Sequence, residues 1–474
     1  MSQPCIIQGG MGVGVSGWPL AAAVSRLGQM GVVSGVVLDV VFARRLQEGD
    51  PGGHMRRALD HFPVPGIARR VWDQYFIPGG KAAGDAYKKI PIFTVNPGAA
   101  LLELGVVSNF AEVWLAKQGH NGVVGINYLE KLQLANLAPI YGAMLAGVDY
   151  VCMGAGIPRE IPGVLDRFVD HDAATLRLDV DGASPDDDFR TRFDPRALLG
   201  QSLPKLKRPK FLAIIASAVL AISLAKKSTG QVDGFVIEAP TAGGHNAPPR
   251  GGVTLGDTGE PVYGPRDEVD FAKIKSLGLP FWLAGCCAYV EKLKRALESG
   301  AAGIQVGTAL AFCRESSLTD EIKAQVIRQV IAGEASVFTD PTASPTGFPF
   351  KVAKVPGSLS ETDVYEGRPR LCDLGYLRQP YKKADGSLGY RCPAEPVAAY
   401  IRKGGKLEET VGRQCLCNGL IANIGHPQVQ KNGYVEPPII TAGDDLANIG
   451  KFIKPGETAY SAGDVINNLL RERT

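Results

Sequence analysis

Three features are scarce in this sequence, and each scarcity removes a class of protein. Apolar residues do not run on for long: the stretch 211–225, FLAIIASAVLAISLA, falls short of the roughly 20 residues a membrane helix needs and is broken by Ser217 and Ser223. Excess charge is also missing, since 51 Lys and Arg against 48 Asp and Glu leave only +3. Without a basic stripe carrying interleaved aromatics, that balance argues against dedicated nucleic-acid binding. The densest basic run, 205–210, reads as a solvated loop ahead of a strand. Paired cysteines are lacking too: nine, an odd number, are spread over 474 residues. The opening MSQPCIIQGG has no charged leader or apolar core, so a reducing cytoplasm is expected, with no membrane and no disulfide framework.

What is present suits a globular enzyme. Hydrophobic residues make up 45% and charged residues 21%, the proportions of a chain with a large core. The length exceeds one average domain but suits a single large barrel, which runs about 250 residues before insertions. Eight apolar runs centre near residues 6, 33, 124, 151, 213, 235, 282 and 305, each closing in Gly, Asn, Ser or His and most followed by helical spacing. This alternation predicts an α/β fold, a (β/α)8 TIM barrel with its site at the C-terminal ends of the strands. A doubly wound sheet would instead concentrate a glycine fingerprint in one loop. The barrel is expected over 1–330, with insertions near 39–120 and 170–205. Within the first insertion, 90–96, IPIFTVN, could form a strand; the acidic stretch 170–196 reads as loop. Beyond about Ile331 the alternation stops, and 331–474 is expected to form an irregular cap on the substrate side.

The stretch 232–250, VDGFVIEAPTAGGHNAPPR, reads as a central strand that breaks into a loop tipped by an imidazole. Gly243 and Gly244 free the backbone there for a ligand to lie close, and His245 is the side chain that exchanges protons near neutral pH. His245 is therefore the candidate general base, the alternative being a structural histidine that bonds a neighbouring loop. In a parallel barrel the loops after the seventh and eighth strands often hold phosphate. Gly285 and Gly307 would expose backbone donors there and Thr308 a hydroxyl, unless the glycines serve only close packing. The run 186–188, three aspartates, reads as solvated loop, because consecutive carboxylates cannot all face one ion. Cys372, Cys392, Cys415 and Cys417 could hold zinc or an iron–sulfur cluster, but the C-x-C spacing departs from the common C-x2-C knuckle and the other two are remote. Ordinary buried cysteines are the expectation, and no metal ligand is assigned.

Taken in order, IIQGGMGVGVS at the start, VGINY ending at Tyr128, EAPTAGGH ending at His245, LAGC at 283–286 and GIQVGTALAFCRES ending at Ser316 form a pattern. It resembles the nitronate monooxygenase family, once called 2-nitropropane dioxygenases, which includes flavin-dependent enoyl-ACP reductases. The resemblance covers most of residues 1–320. It implies a barrel binding FMN without a covalent link. Gly9, Gly10 and Met11 would approach the ring by backbone, Asn127 would bond the flavin, and Gly285 with Gln305, Val306, Gly307 and Thr308 would hold the phosphate. His245 matches the family's catalytic histidine. The implied reaction converts an alkyl nitronate and O2 to a carbonyl compound and nitrite. Two alternatives stay open: an NAD(P)H-dependent reductase of enoyl thioesters or quinones on the same flavin, and a flavin-binding subunit of a biosynthetic complex. The expected partners are a small-molecule substrate and O2, with NAD(P)H and a homo-oligomer left open. The pattern is departed from after His245, in Asn246 to Arg250 and in the polar segment 251–270.

Overall fold

The computed structural model describes residues 3–471; the outermost residues of the expected 1–330 and 331–474 units, 1–2 and 472–474, lie outside the described residues. Eight short parallel strands make one sheet: β1 (Ile6–Gln8), β2 (Gly31–Ser34), β3 (Val124–Leu129), β4 (Tyr150–Gly154), β5 (Lys210–Ile215), β6 (Gly234–Glu238), β7 (Phe281–Ala284) and β8 (Gly303–Val306). Their pairing order is β1-β8-β7-β6-β5-β4-β3-β2. The ring closes where Ile7 bridges Met30, with the Gln8 amide donating to the Met30 carbonyl at 2.9 Å. Gln8 tightens the seam, its side-chain oxygen accepting from the Val32 amide at 2.8 Å. These are the eight strands the apolar runs predict. Ile7, Val32, Cys152, Leu212, Val236 and Trp282 form a cluster of their own inside the ring, so the barrel is a packed core and not a pore. Trp282 is fully buried, and its indole N–H reaches the Pro4 carbonyl at 2.9 Å.

Helices wrap the ring: α1 (Trp18–Arg26), α2 (Ala99–Ala116), α3 (Leu137–Leu145), α4 (Ile161–Val169), α5 (Ala218–Lys227), α6 (Phe271–Lys275) and α7 (Val290–Glu298). Their starts follow from the sequence. Ser217 caps α5 by accepting from the Leu220 amide, and Asp270 caps α6 by accepting from the Lys273 amide. α2 is long and apolar enough to cross a membrane by length and composition, but 78% of it is buried within the protein. It packs against α1 and α3, so the insertion expected near 39–120 contains one of the barrel's own helices.

The eighth helix comes from far along the chain. After β8 only a four-residue helix, Thr308–Ala311, follows directly. The place between α7 and α1 is filled by α8 (Ala462–Leu470), which contacts both. Ser461 and Asp464 form a capping box at its start. Val465, Ile466 and Leu469 are buried in the same core cluster as Leu20 and Val24 of α1. Residue 330 is therefore not a boundary of the barrel, and 331–474 is not wholly a cap: the chain leaves the ring, crosses its mouth and returns.

Two local expectations are corrected. Residues 90–96 form no strand; Pro91 has no amide to donate, the Val95 amide is taken by the Tyr390 hydroxyl, and the Phe93 carbonyl by Arg378. The acidic loop 170–196 instead contains an antiparallel pair, Ala174–Arg177 with Arg190–Phe193. Of the three aspartates at its turn, Asp187 bonds Lys382 and Asp188 bonds Arg190. If α8 is integral to the barrel, Leu469→Ala should lower unfolding free energy by about 2–4 kcal/mol in denaturant titration. A loss under about 1 kcal/mol would place α8 outside the cooperative core.

Candidate active site

The loop after β6 is built into the returning C-terminal segment. His245 bridges Phe350 in antiparallel fashion, the Lys351 amide donates to the Gly244 carbonyl at 3.0 Å, and the Asn246 amide donates to the Pro349 carbonyl at 2.9 Å. From the other side the Gly244 amide donates to the Thr441 hydroxyl at 2.8 Å, and the Asp444 amide to the Thr241 carbonyl at 3.1 Å. The AGGH loop is thus held by two segments near residues 350 and 441. Asn246, which departs from the family pattern, is buried and closes the loop on itself by donating to the Ala242 carbonyl. The polar segment after it folds back over the rim, Tyr263 donating to the Ala247 carbonyl and Arg250 to the Ala216 carbonyl.

Beneath this strap, at the C-terminal ends of the strands, lies a cavity of ≈220 Å³. Every predicted site residue lines it. Gly9, Gly10 and Met11 follow β1, Asn127 lies in β3, and Gly243, Gly244 and His245 follow β6. Gly285 follows β7, and Gln305 to Thr308 close β8 and begin the helix after it. The glycines have local reasons. A Cβ on Gly10 would stand 2.2 Å from the Cβ of Asn127, so only glycine lets β1 and β3 converge there. Gly285 sits at φ +101°, and a Cβ would meet Thr241 and Ala239 within 3 Å. Ala155 and Cys286, after β4 and β7, hold φ of 54° and 50°. Strained backbone therefore gathers at this rim. The amides of Gly285 and Cys286 find no acceptor among the described residues, and neither does the Asn127 side chain find a partner there.

The electrostatics separate the candidate groups. Burial, helped by the charge of Lys131, lowers the pKa of His245 to about 3, so its ring is neutral at physiological pH. Its Nε2 lies 2.7 Å from the Ser344 hydroxyl, which lies 2.8 Å from that of Thr346, and Phe350 packs edge-on at 4.9 Å. Lys131, donating to the Thr346 carbonyl, is itself lowered to about 8 by burial. Glu238 ends β6 and lines the cavity; burial raises its carboxyl to about 7, and it has no hydrogen-bond partner among the described residues. Cys286 also faces the cavity, but burial pushes its thiol up to about 11, leaving it protonated and a weak nucleophile.

Sequence reasoning missed three of these groups. Glu238 was hidden because a carboxylate within an apolar strand reads as a strand end; its place before the AGGH loop was the available signal. Ser344 and Asp445 come from the region taken for a cap. Asp445 changes the expectation for Thr308. The Thr308 hydroxyl accepts from the Gly443 amide at 2.9 Å and also bonds the Asp445 carboxyl. It is therefore engaged within the protein, and the donors left for an anion are backbone amides. Burial raises the pKa of Asp445 while Lys451, donating to the Ala288 carbonyl, opposes that rise.

No protein-family model and no curated protein matches the chain. Similar solved structures include FabK from Thermotoga maritima, 15% identical over 99% of this chain and 93% of that one, with a TM-score of 0.47. They also include a nitroalkane oxidase from Streptomyces ansochromogenes, 14% identical over 99% and 95%, TM-score 0.44. A third is the enoyl reductase domain of MlnA from the macrolactin biosynthesis cluster of Bacillus amyloliquefaciens, 10% identical over 99% and 95%, TM-score 0.47. Likeness at these values decides neither cofactor nor substrate for this chain. Replacing Thr308 by Val removes the partner of both the Gly443 amide and Asp445, so stability should fall by about 1–3 kcal/mol in chemical denaturation. No change would show that the strap is not anchored there.

Proposed function

We propose that this chain is an FMN-dependent oxidoreductase that converts alkyl nitronates and O2 to a carbonyl compound and nitrite. The observation that supports it is the convergence on one cavity of residues from five different strand ends, beside a neutral imidazole and a carboxyl with a pKa near 7. The donor set suits FMN. Gly9 and Gly10 offer flat backbone for a planar ring, Asn127 offers an unengaged amide, and Gly285 and Cys286 offer free N–H groups for phosphate oxygens. A phosphate held there would share the cavity with Asp445, whose burial favours the neutral form, with Lys451 nearby, so repulsion would be reduced.

FMN, when bound, supplies electron acceptance and the reaction with oxygen. The chain's own residues place the substrate. His245, held by Ser344 and Phe350, presents a neutral ring that orients a nitronate oxygen by hydrogen bonding. Glu238 stays largely protonated below pH 7, so it does not repel an anionic substrate. Val13, Val15, Val36, Phe350 and Leu420 line the cavity and keep it apolar. Glu238 also favours a second reading, reduction of an enoyl thioester or quinone with NAD(P)H, because an acid of that pKa can deliver a proton at neutral pH.

Mixing the purified flavoprotein anaerobically with NADH or NADPH separates the two. Slow bleaching by both nucleotides, with fast turnover of nitronate in air, is expected; fast bleaching by either would transfer the assignment to the reductase. His245→Gln should retain flavin and lose roughly 10²–10⁴-fold in turnover, and unchanged turnover would remove the histidine from the reaction. Protonated Glu238 is the favourable form, so activity should fall as pH rises through about 7. Glu238→Gln should abolish that inflection in the pH profile; its persistence would assign it to another group.

A further inference from the structure

The neutral ring of His245 carries a proton on only one of its two nitrogens, and the wall behind the ring decides which. Nε2 lies 2.7 Å from the Ser344 hydroxyl. His245 lines the cavity, and its Nδ1 has no partner among the described residues. With Nε2 bound to the wall, Nδ1 is therefore the nitrogen left for a ligand. A lone pair there would accept a proton, whereas an N–H would donate to an anion or a carbonyl. The two tautomers give one side chain opposite chemistries.

The hydrogen bonds around Ser344 choose between them. Ser344 is fully buried, and Arg413 fixes its carbonyl at 2.6 Å. Its Oγ has three neighbours: His245 Nε2 at 2.7 Å, Thr346 Oγ1 at 2.8 Å and the Thr346 amide at 3.2 Å. The amide can only donate. A hydroxyl gives one hydrogen and accepts two, so of the remaining two contacts one receives the Ser344 hydrogen and the other supplies its own. If Ser344 donated to Thr346, the Thr346 hydrogen would have no acceptor among the described residues. If Ser344 donates to Nε2, Thr346 donates to Ser344 and both hydroxyl hydrogens are used. Charge favours the same direction. Lys131, which follows β3, donates to the Thr346 carbonyl at 3.2 Å and stands 3.2 Å from the centre of the Phe348 ring. A cation thus closes the far end of the chain His245–Ser344–Thr346, while Glu130 and Asp179 act on it from further off. Hydroxyl dipoles turn their hydrogens away from a cation, which here is towards His245.

We propose that Ser344 is a positioning residue that holds His245 as its Nδ1–H tautomer, so that the ring offers the cavity a hydrogen-bond donor and no lone pair. Such a donor fits a ligand oxygen that carries or develops negative charge. The role in turnover rests on the nitronate reading above: Nδ1–H donates to a nitronate oxygen, and His245 takes no proton from the substrate. Ser344 and Thr346 come from the segment that crosses the barrel mouth, so the returning chain sets the chemistry of a side chain that the ring supplies.

The test reads the tautomer directly. In the full chain as purified, labelled with 15N at histidine, the His245 ring should show Nδ1 protonated and Nε2 bare, its signals being assigned by their loss in His245→Gln. Protonation at Nε2 instead overturns the proposal. Ser344→Ala should bring the Nε2–H form into the population, and a variant that keeps the Nδ1–H form unmixed overturns the role of Ser344. Thr346→Val leaves the Ser344 hydrogen no acceptor but Nε2 and should keep the Nδ1–H form. The first measurement is made on the unmodified chain, so a variant that fails to fold leaves the decision intact. In turnover, Ser344→Ala should raise KM for an alkyl nitronate roughly tenfold or more, the size of one hydrogen bond to a charged group, with a smaller fall in kcat. An unchanged KM overturns the positioning role. An unmodified chain that turns over no nitronate sinks the functional reading and leaves the tautomer result standing.

Discussion

The packing of α8 between α7 and α1 is the constraint from which the rest of the structure follows. Because the ring is sealed by a helix that begins at Ala462, everything from the end of β8 to that point is a loop tied at both ends to the barrel. Such a loop has limited choices, and this one crosses the mouth. Its crossing brings Phe350 against His245 and Thr441 against Gly244, so the candidate site is a joint product of the ring and the returning chain. The hydrogen bonds across this junction are mainly backbone to backbone. They therefore fix position without dictating side chains.

The same burial acts oppositely on the groups around the cavity. It suppresses the charge of His245 and lowers that of Lys131, and it suppresses the ionisation of Glu238 and Cys286. The result is a cavity wall on which the His245 ring and the Cys286 thiol are uncharged at neutrality while the Glu238 carboxyl titrates around it. An anionic ligand would meet least opposing charge below about pH 7, where Glu238 is protonated.

The ring was legible in the sequence because a parallel strand buried on both faces must be a continuous apolar run, and all eight runs ended in residues that tolerate a rim. The rim glycines were legible for a related reason: Gly10 and Gly285 occupy places a Cβ cannot. What escaped was long-range. α8 has the hydrophobic spacing of any surface helix, and nothing local assigns it to a gap next to α1. The stretch 90–96 looks like a strand because its side chains suit one, but its backbone groups are claimed by Tyr390 and Arg378. Likewise, Cys372 and Cys392 are distant from Cys415 in sequence, and only the fold places them around one cavity.

The late position of α8 has a bearing on how the chain reaches this state. α1 leaves the ribosome early, with the apolar side chains of Leu20 and Val24 destined to pack in the core that α8 completes. Synthesis proceeds at about 5–20 residues per second, so that surface waits tens of seconds for its cover. Pairing elements from opposite ends of a chain is also entropically slow. A nascent chain stalled or cut anywhere before Ala462 carries an open groove beside α1, the kind of exposed apolar surface that chaperones bind and that draws incomplete chains into aggregates.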